Sequence, residues 1–240
     1  MAVAITIGLW VHDELTYNSY FANRKNIAQV YQSSTYNSEK YVAISQPRPL
    51  EKVLRNSHGD YFKHIVMSSW NNPSYLESNN LKISKSGSYM QEGIIDMLDL
   101  KILKGSRDGL KDINSIMLSA STSKALYGSA DPIGEIIKLN SDHDVQVTGV
   151  YEDIPKNNTF HDLNFIATWD LFASAEWIKL SADQWGNSSF QMFVQIADNT
   201  TVDQVNEVIK FSKKDNVPEG QKIYDPKVFL LPMQDWYLRS

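Results

Sequence analysis

The sequence predicts an α+β fold: two strand-helix-strand units at the ends of the chain, with a smaller mixed α/β unit inserted between them. Three observations carry this. Over 27–70 an apolar β-rich run, a proline-opened amphipathic run and a second apolar run follow one another. The same order recurs over 190–231, and the stretch between them is built of short apolar runs broken by Gly, Pro, Asn and Ser. With 240 residues, 42% hydrophobic and 21% charged, the chain is ordinary globular material, long enough for two modest cores.

The elements follow in order. Residues 27–33 (IAQVYQS) mix β-branched, aromatic and polar types as a strand does, and Asn23 before Arg24 offers a cap to a short preceding turn. Pro47 and Pro49 open a helix with Leu50, Val53 and Leu54 on one face, and 56–59 stops it. Residues 61–70 (YFKHIVMSSW) form the next strand. In the middle, 81–84 and 88–91 read as a hairpin turning at Ser86-Gly87, 92–98 as a short helix and 104–109 as a loop. Residues 115–118 (SIML) read as a buried strand, and 121–127 as a helix ended by Gly128 in a left-handed conformation. Residues 135–139 and 145–150 pair antiparallel around the polar tip 140–144. At the far end, 190–196 alternates as a strand, and Asn199-Thr200 caps a helix whose stripe is Val202, Val205, Val208, Ile209 and Phe211. Residues 227–231 (KVFLL) close the second unit.

Composition excludes several functions. A net charge of -5 without a basic face argues against nucleic acid as a partner. The absence of cysteine removes disulfides, thiolate metal sites and cysteine nucleophiles. Residues 1–11 (MAVAITIGLWV) are apolar but far short of the roughly 20 residues that cross a bilayer. On pattern alone they suit a buried first strand or the trailing end of a transmembrane helix.

No motif anchors catalysis. Ser121 and Lys124 have the S-x-x-K spacing of a serine hydrolase, yet S-D-N and K-T-G are missing, and a Ser119 or Ser121 helix cap beside a solvated Lys124 is the simpler reading. Asp142-His143-Asp144 alternates faces on a strand and suits a solvated tip better than a metal site. Glu152-Asp153 and Asp96/Asp99 lack any spacing that defines an acid-base pair. Trp70, Trp169, Trp177 and Trp185 stand among apolar residues and are expected to pack, not to form a sugar platform. No catalytic, cofactor-binding or metal-binding residue is therefore assigned.

One segment is specific. Lys124-Ala125-Leu126-Tyr127-Gly128, Asp131-Pro132-Ile133-Gly134, Val147-Thr148-Gly149-Val150 and Glu152-Asp153-Ile154-Pro155 with Asn157-Asn158-Thr159-Phe160 resemble the extracytoplasmic (periplasmic core) domain of MacB/FtsX-type ABC transporter permeases. The resemblance extends to Asp13-Glu14-Leu15-Thr16-Tyr17-Asn18 near one end and Leu231-Pro232-Met233-Gln234-Asp235-Trp236 near the other. Tyr127 stands where Phe is commoner, Gln29 where Arg is, and Thr159 where Ser is. The resemblance implies a porter-like subdomain over 12–72 plus 188–240, an inserted Sabre-like subdomain over 73–187, and a transmembrane helix ending in 1–11. It further implies a non-catalytic domain on the periplasmic side of a bacterial inner membrane, coupling ATP hydrolysis elsewhere to export or efflux. Its partners would be an ABC ATPase subunit, a second permease copy and a periplasmic or outer-membrane protein. The alternative is a ligand- or peptide-sensing extracytoplasmic domain whose cleft holds a small molecule.

Overall fold

The computed structural model describes residues 16–239. The apolar run 1–11 and the Asp13-Glu14-Leu15 part of the resemblance lie outside the described residues. Among the described residues no helix is long and apolar enough to cross a membrane.

Ile27–Tyr36 (β1) leads through the edge strand Glu39–Ala43 (β2) and the short Gln46–Pro47 (β3) into helix Pro49–His58 (α1) and strand Phe62–Ser68 (β4). Pro49 opens α1 because the first helical turn has no use for its missing N–H. Near the other end, Ser188–Ile196 (β12), helix Val202–Ile209 and Lys227–Pro232 (β13) repeat the order. The four long strands line up as β4-β12-β1-β13 with every neighbouring pair antiparallel. Two strand-helix-strand units interleaved in this order make the split βαβ, ferredoxin-like arrangement.

This sheet is covered on both faces, which is why apolar residues on neighbouring positions of one strand, such as Phe193 and Val194, are both buried. One face carries Val30, Ile65, Phe190, Val194 and Leu230 against Leu50 and Leu54 of α1 and Val205 and Ile209 of the later helix. The other face carries Ile27, Val66, Phe193 and Leu231. The later helix is capped by Thr201, not by Asn199 or Thr200. The Thr201 hydroxyl accepts from Gln204 N while the Gln204 side chain accepts from Thr201 N, a reciprocal capping box. Its apolar stripe is narrower than expected, because Val208 and Phe211 stay exposed.

Asn72–Ser78 (β5) continues the path of β4 after a bend, and Leu81–Met90 (β6) runs back along both. The expected hairpin at Ser86-Gly87 is thus one unbroken strand, and the turn lies at Asn79-Asn80, both with positive φ (50° and 63°). Asparagine tolerates that region, so the pair supplies what a glycine would. Helix Ile94–Met97 (α2) and strand Ile102–Gly105 (β7) follow; the second replaces part of the expected loop. Ser115–Ser119 (β8), helix Ala120–Tyr127 (α3), Ile136–Leu139 (β9), His143–Tyr151 (β10) and Phe165–Thr168 (β11) complete the middle, before the short helices Trp169–Ala173 (α4) and Glu176–Leu180 (α5). With these named, the later helix Val202–Ile209 is α6, and Glu219–Lys222 and Trp236–Arg239 are α7 and α8.

The strands β6, β11, β8, β10, β9 and β5 pair in sequence, and β5 pairs with β6 again, so the middle closes on itself as a small barrel. Its interior is filled by Leu76, Ile116, Leu118, Val145, Val147 and Phe165. Gly128 ends α3 with φ +62°, though its ψ of -114° departs from the left-handed helical region expected.

Candidate functional site

The side chains with a nominal claim to chemistry are occupied structurally. Ser119, not Ser121, caps α3, accepting from Thr122 N. Ser121 Oγ donates to Asp153 Oδ1 at 2.8 Å, and Ser121 N donates to the same oxygen at 3.1 Å. No hydrogen bond joins Ser121 to Lys124, which is exposed. Asp142, His143 and Asp144 lie exposed at and beside the β9–β10 tip, and among the described residues no group of three His, Cys, Asp or Glu could hold a metal. Arg107 bridges Asp96 and Asp99. Glu152 pairs with Lys101 at 2.9 Å, which holds its carboxyl below the usual range. Of the tryptophans, Trp169 is buried, whereas Trp70 and Trp177 are 39% and 53% exposed, against the expected packing. Trp177 still stacks on Phe190, ring centres 6.0 Å apart. Asn23 caps nothing; its amide donates to Met97 O at 3.3 Å.

A buried polar group that the sequence shows only as part of a family-like run ties the chain together here. Asn18 is fully buried with φ 58°, where the two ends of the described chain meet. Its Nδ2 donates to Thr159 Oγ1 at 3.0 Å and to Met233 O at 3.3 Å, and its Oδ1 accepts from Thr159 N at 2.8 Å. Asn18 N donates to Asn157 O at 3.1 Å, and Asn18 O accepts from Phe21 N at 3.3 Å. An asparagine offers two amide hydrogens and a carbonyl oxygen, and all are used here. Beside it the Tyr17 and Tyr237 rings lie 4.8 Å apart, and Thr159 Oγ1 also donates to Tyr17 OH at 3.4 Å.

The loop that supplies Thr159 joins β10 to β11 and so belongs to the barrel. Its Phe160 lies edge-on to Phe21 (6.0 Å between ring centres), Phe193 (5.3 Å) and Trp236 (6.1 Å). One ring thus touches both chain ends and the four-stranded sheet. Trp236 is itself fixed by its Nε1 donating to Leu231 O at 2.9 Å. Within the loop, Asn158 is fully buried, and its Nδ2 donates to Pro155 O at 2.9 Å and to Asn157 Oδ1 at 3.1 Å. Nearby, burial and then the Glu152 carboxylate push the Tyr20 phenol above its ordinary pKa, and burial does the same to Tyr151, whose hydroxyl donates to Leu163 O at 2.8 Å.

A cleft of about 620 Å³ runs between Arg55 and His64 on the sheet side and Arg107, Lys111 and Asp170 on the barrel side. Its walls are charged and largely committed. Arg55 pairs with Glu51, Arg107 with Asp96 and Asp99, and Lys111 with Asp108. Burial holds His64 below its ordinary pKa, against the opposing pull of Asp96. Ligand sites are usually apolar with a few convergent polar groups, and this cleft lacks that character.

Comparison with known proteins identifies the fold. The family model of the MacB-like periplasmic core domain matches residues 1–210. Among solved structures, a domain of a putative permease from Porphyromonas gingivalis superimposes with a TM-score of 0.73 at 16% identity, over 88% of this chain and 91% of that one. The periplasmic region of MacB from Actinobacillus actinomycetemcomitans gives 0.62 at 15% identity, over 94% and 96%. The extracellular domain of the ABC-type transporter YknZ from Gram-positive bacteria gives 0.56 at 15%, over 86% and 100%. A search of the curated proteins finds no match.

Proposed function

The chain belongs to the family of MacB-like periplasmic core domains of ABC-transporter permeases, and from that premise we propose that it couples ATP hydrolysis in the cytoplasm to mechanical work outside it. The domain lies outside the cytoplasm as part of a membrane protein. The finer reading is a bacterial inner-membrane permease that acts as a dimer with an ABC ATPase in a separate domain or chain. It exports or expels a substrate with a periplasmic or outer-membrane partner. In this reading 12–72 plus 188–240 is the porter-like part, 73–187 is the Sabre-like insertion, and 1–11 is the end of a transmembrane helix.

The observation that carries the proposal is the meeting of the chain ends at Tyr17–Tyr237 and Asn18–Met233. Segments leaving the domain at these points set out from one place, as two helices entering the same bilayer face require. Displacement of those helices would then act on the domain at one point. The ligand-sensing alternative would need a receptive pocket, and the cleft between sheet and barrel has charged walls that pair among themselves.

Tyr17→Cys with Tyr237→Cys supplies the only two cysteines in these 240 residues, and the pair is followed in the permease assembled with its ATPase in membranes, any cysteine elsewhere in the assembly being replaced by serine. Disulfide yield is expected to differ between the ATP-bound and ADP-bound states. Equal yields in all nucleotide states would overturn the proposal.

A further inference from the structure

We infer that the loop 157–160 of the barrel is a latch on the two chain ends and that Asn18 is the residue that positions it. The inference rests on the mechanical reading for its purpose but not for its geometry.

The geometry is a three-way bond. Asn18 belongs to one end, Met233 and Trp236 to the other, and Thr159 and Phe160 to the barrel; the Asn18 amide reaches Met233 O and Thr159 together. Its Nδ2 carries two hydrogens, one for each partner, so a single planar group fixes the spacing of all three segments. Phe160 does the same with apolar surface, its ring lying against Phe21 and Trp236. The chain ends therefore cannot part without giving up the loop. Since the loop joins β10 to β11, a displacement of the ends reaches the barrel directly and does not have to pass through the sheet.

Asn158, directly before Thr159, holds the loop's own shape: it is buried, and its Nδ2 donates to Pro155 O and to Asn157 Oδ1.

The test exploits two mild substitutions. Asn18→Gly removes the amide but keeps a residue that accepts φ 58°. Thr159→Val removes only the hydroxyl, and Thr159→Ser retains it. Hydrogen exchange is followed in the 240-residue chain. Thr159→Val, although made in the barrel, is expected to raise exchange about tenfold at 19–22 and at 236–238, as loss of one buried hydrogen bond predicts. Asn18→Gly should do the same, the double variant should add little to either, and Thr159→Ser should restore protection. Exchange rising only at 157–161, with both chain ends at wild-type protection, overturns the latch. If Asn18→Gly unfolds, the comparison of Thr159→Val with Thr159→Ser decides alone.

In the assembled permease, a fluorophore on Asp142→Cys at the exposed barrel tip reports whether the barrel follows nucleotide. Its response should be lost with Thr159→Val and kept with Thr159→Ser. A retained response in Thr159→Val, while the Tyr17–Tyr237 disulfide still changes with nucleotide, overturns the latch and leaves the mechanical reading standing. A disulfide indifferent to nucleotide overturns the mechanical reading, and the exchange data then judge the latch separately.

Discussion

Gly87→Ala tests whether the barrel closes through β6 and β11. A Cβ on Gly87 would stand 2.3 Å from Phe165 Cδ1, 2.4 Å from Cε1 and 2.5 Å from Cγ. Carbon atoms at ordinary contact are about 3.5–4.0 Å apart, so the ring must retreat by more than about 1 Å. Phe165 is fully buried in the barrel core and has nowhere free to go. Overpacking of this kind costs about 1–3 kcal/mol, and the reduced freedom of the unfolded chain returns about 0.4–1 kcal/mol. A net loss of about 1–2 kcal/mol corresponds to a fall in Tm of about 2–8 °C for a chain of this size. Urea unfolding followed by tryptophan fluorescence measures it. Phe165→Leu alone is destabilising through the space it leaves, but in the double variant each change relieves the other. The two losses should fall short of additive by about 1 kcal/mol. If they add to within about 0.5 kcal/mol, Gly87 does not face Phe165 and the closed barrel is wrong. A turn at Ser86-Gly87 would also resist alanine, but it would show no coupling to Phe165.

Three further predictions concern caps and charges. Ser119→Ala should destabilise by about 1 kcal/mol through loss of the α3 cap, whereas Ser121→Ala, on the surface, should stay within about 0.5 kcal/mol; a reversed order in urea midpoints would reject the cap assignment. Burial lowers the Lys213 amine from 10.5 to about 8, and its partners are the neutral Gln32 and Ser188 side chains. The fold then holds the amine neutral at a pH where the unfolded chain still binds the proton, so stability rises with pH from about 8 to 10.5. Lys213→Met should remove that rise from the urea-midpoint curve; parallel curves for the two proteins would refute it. Asp225 is held at about 2, below 3.8, by hydrogen bonds from Lys214 and Lys227. Its contribution is present above 3.8 and fades as pH falls through about 2, so the gap between wild type and Asp225→Asn should close over that window. Asparagine also accepts the φ of 44° found there, which leaves charge as the difference; a gap unchanged across the window would refute the assignment.

The outer strand-helix-strand units were legible because their signals are local. Pro49 sits at the start of α1, Leu50 and Leu54 follow at helical spacing, and β1 and β12 carry β-branched and aromatic runs. What failed depended on partners distant in sequence. Gly87 looked like a turn because its actual reason, the Phe165 ring, lies far along the chain. The true turn at Asn79-Asn80 used asparagine in a role that glycine more often advertises. Val208 and Phe211 fit the helical period but stay exposed, and Phe211 lies past the end of α6. Asn18 carries no local signal beyond its family-like run, since its partners stand 141 and 215 positions away. The usable signal was the pairing of that asparagine with Asn157-Asn158-Thr159-Phe160, two family-like segments with no chemistry of their own.

The two parts also share a core, and this bears on which mechanism the molecule can support. Phe21, Ile27, Phe193 and Trp236 from the ends and the sheet pack in one cluster with Met90, Ile94, Tyr151 and Phe160 from the middle. Trp169 and Ile178, from the middle, pack on the opposite face of the sheet with Leu50 and Leu54. A hinge that swung the barrel away from the sheet would expose such side chains at about 1.5–3 kcal/mol each. Exposing two of Phe160, Phe193 and Trp236 alone would cost about 3–6 kcal/mol, a large part of the 5–15 kcal/mol that holds a typical domain folded. A sensor that closes around a ligand needs a soft hinge there. A transmitter needs the reverse, a body that carries displacement from its chain ends to its far side without yielding. Cores on both faces of the sheet give the body behind the chain ends that stiffness, and the latch is the point at which a change in the spacing of the ends passes into it.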